Sequence, residues 1–377
     1  MSNAIDRRKV LGNPRRIVVK IGSAVLTGSR GSLNARRVHD LAEQVSTLCD
    51  QGREVLVVSS GAIAAGIGEL GLPGRPTTMP ELQATAAVGQ SRLIRTYNES
   101  FRRHGRCVGQ VLLSREDMED RARFLNTRNT LRALFEMGSV PVINENDSVS
   151  VEEIRYGDND FLAAHLATLI LAELLVILTT VEGLFETDAA GRRRLVRVVE
   201  QVTEEVVGLD DGGKSARGTG GMGSKLKAAA MITRAGVPVV VASGRRRDVL
   251  PQIVAGEDVG TLFLPAPRRM TSRKRWIGFT ARPSGRLVVD EGARRALVEQ
   301  GKSLLASGIR AVHGTFQKGD VITLAVGSNP PFARGLTNYS SAELALIQGY
   351  HTRDIKARLG YKDYDEAVHR DNLVLLG

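Results

Sequence analysis

Through the first 264 residues the chain alternates short β-branched runs with longer segments of helical periodicity. IVVKIG (17–22), EVLVVSSG (54–61), CVGQVLLS (107–114), VPVIN (140–144), ELLVILTT (173–180) and VPVVVASG (237–244) are apolar almost throughout rather than at alternate positions. That pattern predicts strands buried on both faces. Between the first two lies NARRVHDLAEQVSTLCDQG (34–52), which places Val38, Leu41, Val45 and Leu48 on one helical face and ends at Gly52. Segments 82–104, 126–137, 158–172 and 224–235 have the same helical character. Strands alternating with helices predict an α/β fold, a mainly parallel sheet sandwiched by helices. Ligands of such folds bind beyond the carboxyl ends of the strands.

PAPRRMTSRKRW (265–276) interrupts this pattern with two prolines and a cationic run. Beyond it RLVVD, GIRAV, GDVITLAV and FARGLTNYS form short strand-like runs between glycine turns, which predicts a small β-rich domain. The expected organisation is a domain over 1–264, a linker over 265–283, the β-rich domain over 284–362 and a tail over 363–377.

Composition adds little to the fold but narrows the setting. A 377-residue chain is longer than one core usually supports, and 42% apolar with 25% charged residues is ordinary for a folded protein. Cys49 and Cys107 make neither a disulfide framework nor a zinc-ligand set, which fits a reducing compartment. The first twenty residues contain no apolar signal core, so a cytoplasmic location is expected. The net charge of +11 is uneven: residues 268–377 hold 18 Lys and Arg against 10 Asp and Glu. A basic block of that kind can attract nucleic acid.

Several loops carry candidate chemistry, and each has a plainer reading beside it. Lys20, followed by Gly22 and Ser23, is either a solubilising charge at a strand end or a cation placed for phosphates. Ser59, Ser60, Gly61 and Ala62 either allow tight packing or form an anion site at a helix start. GTGGMGSK (218–225) fails both common phosphate-loop patterns, since no strand precedes its glycines and the order is Gly223, Ser224, Lys225. It remains a glycine loop whose N–H groups and lysine suit phosphate oxygens. Residues 143–160, INENDSVSVEEIRYGDND, put six acids between a strand and a helix. Taken alone, GDND (157–160) reads as a helix cap, and His165 as a core residue. Together these loops supply two lysines and glycine turns for phosphates, with acids that can hold a cationic group or Mg2+.

At this point the sequence resembles the amino-acid-kinase family, and within it the glutamate 5-kinases. The resemblance rests on VVKIGSAVL, SSGAIAAG, AVGQSRL, MEDRARFLN, VPVINEND, GDND and GTGGMGSK, and on a C-terminal segment similar to a PUA domain. It implies ATP-dependent phosphorylation of the glutamate side-chain carboxylate to glutamyl 5-phosphate, the first step of proline biosynthesis. It further implies that Lys20 and Lys225 contact ATP phosphates, with Asp160 orienting both lysines. Ser60, Asp147, Asp158 and Asn159 would bind glutamate. Thr179, Thr180, Thr219, Gly220, Gly221, Met222, Gly223, Ser224 and Lys225 would line the nucleotide site, with Mg2+ as cofactor and no metal held by protein ligands alone. Thr180 stands where the family usually has Asp, and Ser224 where it usually has Thr. Proline as feedback inhibitor, a homodimer or tetramer, and glutamyl phosphate reductase as downstream partner also follow from the resemblance. Residues 148–156 are expected to form a loop over glutamate. The alternatives are a kinase for another small amino acid and an RNA-binding protein acting through its PUA domain.

Overall fold

The computed structural model describes residues 5–28, 31–149, 159–188, 191–203, 206, 221–267 and 270–376. The chain divides into two compact units, with the main boundary between Arg269 and Met270.

The first unit is built on an eight-stranded sheet. Its strands are β1 (Arg16–Ile21), β2 (Glu54–Ser59), β3 (Val108–Leu113), β4 (Val140–Glu145), β5 (Leu174–Thr179), β8 (Val198–Val199), β9 (Val239–Ser243) and β10 (Thr261–Phe263). A separate hairpin pairs β6 (Phe185–Thr187) with β7 (Arg193–Leu195). The spatial order is β3-β4-β2-β1-β5-β9-β10-β8, parallel from β3 to β9, with β10 reversed against β9. The six expected strands are therefore the parallel part of the sheet. The short strands β6–β8 and β10 were not expected, because runs of two or three residues carry no readable period.

Burial follows the sequence pattern where strands are central. Every residue of β4, and Leu174 to Leu178 of β5, is buried. β3 departs from the expectation: as an edge strand it is only partly covered, and Gln110 and Leu112 are exposed. The helix Ala35–Asp50 buries Val38, Leu41, Val45 and Leu48 as predicted. Asn34 caps it by accepting from the Arg37 N–H at 3.2 Å, and the chain leaves it through Gly52 at φ +80°.

Topology then determines where a site can form. From β1 the chain passes to β2 on one side, whereas β5 lies on the other. The helix Asn159–Leu169 crosses from β4 to β5 and packs on β1 and β2 on the way. Its first residues therefore arrive over the carboxyl ends of the central strands, at the reversal in strand order where open α/β sheets bind ligands.

The second unit holds a five-stranded sheet of β11 (Gly285–Val289), β12 (Ile309–Gly314), β13 (Val321–Val326), β14 (Ala333–Leu336) and β15 (Leu373–Leu375). Leu287, Val289, Ile309, Ile322, Leu324 and Tyr339 are among its core residues. Two helices, Glu291–Val298 and Ser341–Ile347, lie among these strands, and β15 pairs with β14 from within the segment read as a tail. The segment read as a linker contains a buried turn at Trp276 and Ile277.

Candidate active site

Strand ends and two helix starts bring the candidate residues together. Lys20 is the penultimate residue of β1, and its side chain is buried. Lys225 sits in the first turn of the helix Met222–Arg234 and is buried as well. Both ammonium groups meet one carboxylate: Lys20 Nζ lies 2.6 Å from Asp160 Oδ1, and Lys225 Nζ lies 3.1 Å from Asp160 Oδ2. Asp160 is fully buried. Ser224 donates its hydroxyl to the same Oδ2 at 3.0 Å, and Lys225 Nζ also donates to the Gly221 carbonyl at 3.3 Å. Two ammonium groups thus share one carboxylate at the carboxyl ends of the central strands. Buried ion pairs contribute little net stability against apolar replacements, because desolvation offsets the attraction. Two lysines held together in a buried position at strand and helix ends therefore suit a role other than stability, such as contact with phosphate oxygens.

A Cβ at Gly22 would lie 3.9 Å from Lys20 Nζ and 3.3 Å from the Leu178 carbonyl oxygen. Only the second is tighter than ordinary contact, so glycine there serves the close approach of this turn to β5.

A second group of polar side chains lies at the ends of β2 and β4. The Asn159 Nδ2 donates to the Ser59 carbonyl at 2.9 Å, to Ser60 Oγ at 3.0 Å and to Asn144 Oδ1 at 2.9 Å. Its side chain thus turns inward rather than toward its own helix end, while Gly157 and Asp158 of the cap reading lie outside the described residues. Asp147 is buried close to Glu145, at the end of β4. Burial first, and then the neighbouring Glu145 charge, push the Asp147 carboxyl up to about 7, against a pull from Arg75. Among the described residues, Asp147 Oδ1 and Asn159 Oδ1 are buried without a hydrogen-bond partner. Leaving a buried acceptor unsatisfied costs about 1–3 kcal/mol, so both cases need a reason. A ligand carrying several N–H donors would satisfy both.

Thr179 ends β5 and accepts at its carbonyl from the Gly244 N–H at 2.8 Å, while Thr180 follows half-buried. Gly221, Met222, Gly223 and Ser224 are half-buried around the start of their helix. Asp158, Thr219, Gly220 and residues 150–156 of the expected loop lie outside the described residues. His165, further along the Asn159–Leu169 helix, is half-buried, and desolvation, then the Arg115 charge, push its pKa down to about 4. Among the described residues, no group of three His, Cys, Asp or Glu side chains could hold a metal ion.

Sequence reasoning did not single out Asn144 and Gln90, which hydrogen-bond to each other at 2.8 Å behind Asn159. Nor did it single out Tyr97, whose hydroxyl lies 3.0 Å from Ser59 Oγ. Gln90 belongs to AVGQSRL and Asn144 to VPVINEND, but a helical face pattern does not reveal which polar residue points inward.

Residues 15–243 match the amino acid kinase family, and residues 285–359 match the PUA domain. The chain belongs to the amino acid kinase family. A curated relative, "Glutamate 5-kinase" of Syntrophotalea carbinolica, is 49% identical over 98% of this chain and 99% of its own length. "Glutamate 5-kinase" of Caldanaerobacter subterraneus subsp. tengcongensis is 47% identical over 96% of this chain and 98% of its own length. Among solved structures the chain is similar to carbamate kinase from Giardia lamblia bound to AMP-PNP, with 17% identity, a TM-score of 0.48, and coverage of 68% of this chain and 100% of that one. As a member of the amino acid kinase family, the chain places Lys20, Asp160 and Lys225 at the carboxyl edge of its parallel sheet.

Proposed function

We propose that this chain is a glutamate 5-kinase, transferring the γ-phosphoryl group of ATP to the side-chain carboxylate of L-glutamate in proline biosynthesis. The observation that carries the reading is the meeting of two buried lysines, Lys20 and Lys225, on Asp160, together with two unsatisfied buried acceptors, Asp147 Oδ1 and Asn159 Oδ1. The first suits polyphosphate and the second an ammonium group. Near-full-length relatives named glutamate 5-kinase identify the amino acid.

The chemistry asks little proton transfer of the protein. A glutamate side chain has a reference pKa of about 4.3, so the attacking carboxylate is already ionised near neutrality and needs no general base. The obstacle is repulsion between that anion and the nucleotide phosphates. Lys20 and Lys225 lower it by placing positive charge beside the transferring group, and Asp160 holds both ammoniums in position before substrate arrives. Asp147 and Asn159 fix the amino end of glutamate, which orients its far carboxylate for in-line attack. The Gly221–Ser224 helix start and Thr179–Thr180 receive the nucleotide. A magnesium ion arriving on the nucleotide phosphates would neutralise further charge there, since the described residues offer no carboxylate cluster to hold it alone.

Proline is the inhibitor this site would admit, because its ring ammonium can meet the same two acceptors. A homodimer or tetramer, a cytoplasmic location and hand-over of the labile product to glutamyl phosphate reductase complete the proposal. No described helix is long and apolar enough to cross a membrane. Hydroxylamine added to enzyme, ATP and amino acid traps acyl phosphates as hydroxamates. We expect hydroxamate from glutamate and none from aspartate; absence of the glutamate product would refute the reading.

A further inference from the structure

The helix Met79–Arg102 stands one layer behind the substrate-binding side chains, yet two of its residues reach into that layer. Gln90 Oε1 accepts from Asn144 Nδ2 at 2.8 Å, and the Tyr97 hydroxyl lies 3.0 Å from Ser59 Oγ. Seven residues apart, they share a face of the helix. The approach is possible because glycines meet where this helix crosses Ala62–Glu69. A Cβ on Gly89 would lie 1.9 Å from the Ala62 carbonyl oxygen, and one on Gly66 would lie 1.9 Å from that of Thr85. Gln90, next to Gly89, is thereby brought against the end of β4.

The bonding order of this group has a direction. The Ser59 carbonyl can only accept, so the Asn159 amide must face it with its NH2. The same NH2 meets Asn144, which therefore presents Oδ1 to Asn159 and its own NH2 to Gln90. Gln90 closes the series as an acceptor. The outcome is that Asn159 Oδ1, fully buried, points away from the series with no partner among the described residues.

We propose that Gln90 is a positioning residue for substrate binding: through Asn144 it braces the Asn159 amide, whose NH2 the Ser59 carbonyl orients, so that Oδ1 is held toward the substrate ammonium. The inference rests on the reading of the site as a glutamate kinase in which Asp147 and Asn159 hold that ammonium. Without the Gln90 acceptor the Asn144 amide keeps only one of the two bonds that hold it, that to the Asn159 NH2, and its own buried NH2 is left without an acceptor, which loosens the support behind Asn159.

The test is steady-state kinetics of ATP-dependent hydroxamate formation by the full chain. Gln90→Met keeps the volume and removes the acceptor; it should raise KM for glutamate about tenfold, with kcat and KM for ATP nearly unchanged. Gln90→Ala serves as a second variant with the same expectation. Gln90→Glu retains the acceptor and should stay within about threefold of wild type, a rescue that a merely structural role would not give. In an Asn159→Ala background, Gln90→Met should add less than about twofold, because both act through one amide. Wild-type KM for glutamate in Gln90→Met, equal damage from Gln90→Glu, or independent factors in the double variant would each overturn the inference. If wild type itself forms no glutamate hydroxamate, the functional reading falls and takes this inference with it; damage confined to the variants separates the two.

Discussion

Asp147 titrates in the range where the protein would work, and its effects on stability and on binding run in opposite directions. Its carboxyl is pushed up to about 7, chiefly by burial and then by Glu145. The folded chain therefore keeps a proton that the unfolded chain releases near the ordinary carboxylate range, so stability falls as pH rises across that window. Substrate binding needs the ionised form, because only a carboxylate pairs with an ammonium. KM for glutamate should fall as pH rises through about 7, while an Asp147→Asn variant shows a weaker, flat dependence; kinetics between about pH 6 and about pH 8 will show this. At Asp160 the expected result is different. Asp160→Ala leaves two buried lysines facing each other, and losing one partner of a buried ion pair costs about 3–5 kcal/mol, so thermal unfolding should shift markedly downward. Lys20→Ala and Lys225→Ala should instead lower kcat much more than they raise KM for glutamate; equal loss in both would count against their place beside the phosphates. At this scale the sequence showed which residues carry charge at loop starts, and it paired Lys20 and Lys225 with Asp160 only through a family resemblance. It could not show that Asn159 turns inward, since a helix start with Asp and Asn satisfies the capping rules equally well.

Among elements, strands were legible in proportion to their burial. β5, buried over five consecutive residues, could hardly be read otherwise, whereas β3 carries the same residue types at an edge and is only partly covered. Edge or centre depends on strand order, which the local pattern does not contain. The crossing of Ala62–Glu69 with Met79–Arg102 was not read from the sequence, where the small residues after β2 suggested only tight packing or an anion site. Its function in the fold is to bring the Ser60 loop and Gln90 to one place. Gly89→Ala would force backbone apart at that crossing, and overpacking of this sort costs about 1–3 kcal/mol. We expect a lower unfolding temperature together with weaker glutamate binding, measured by thermal melting with and without glutamate. Gly89→Ala with normal stability would mean that the two helices separate easily.

For the whole molecule, the sequence divided the charge correctly but said less about its use. Most of the excess lies in residues 268–377, and about half of that in the stretch 285–359 that matches the PUA domain. The second unit has its own sheet and core, with Phe316 and Tyr339 buried in it. Its binding to single-stranded RNA should be weak, indifferent to sequence and strongly salt-dependent, as expected when phosphate contacts dominate. Titrating residues 270–377 with RNA at two salt concentrations tests this, and tight, sequence-selective binding would favour a role in RNA recognition.

The central claim is that a carboxylate oxygen of glutamate attacks the phosphorus held between Lys20 and Lys225. Glutamate labelled with 18O in its side-chain carboxylate, supplied with ATP and hydroxylamine, tests it directly. Attack at phosphorus makes one labelled oxygen the bridge, and hydroxylamine then displaces phosphate at the acyl carbon. The account predicts released phosphate carrying one 18O per hydroxamate formed. Phosphate without label would contradict it.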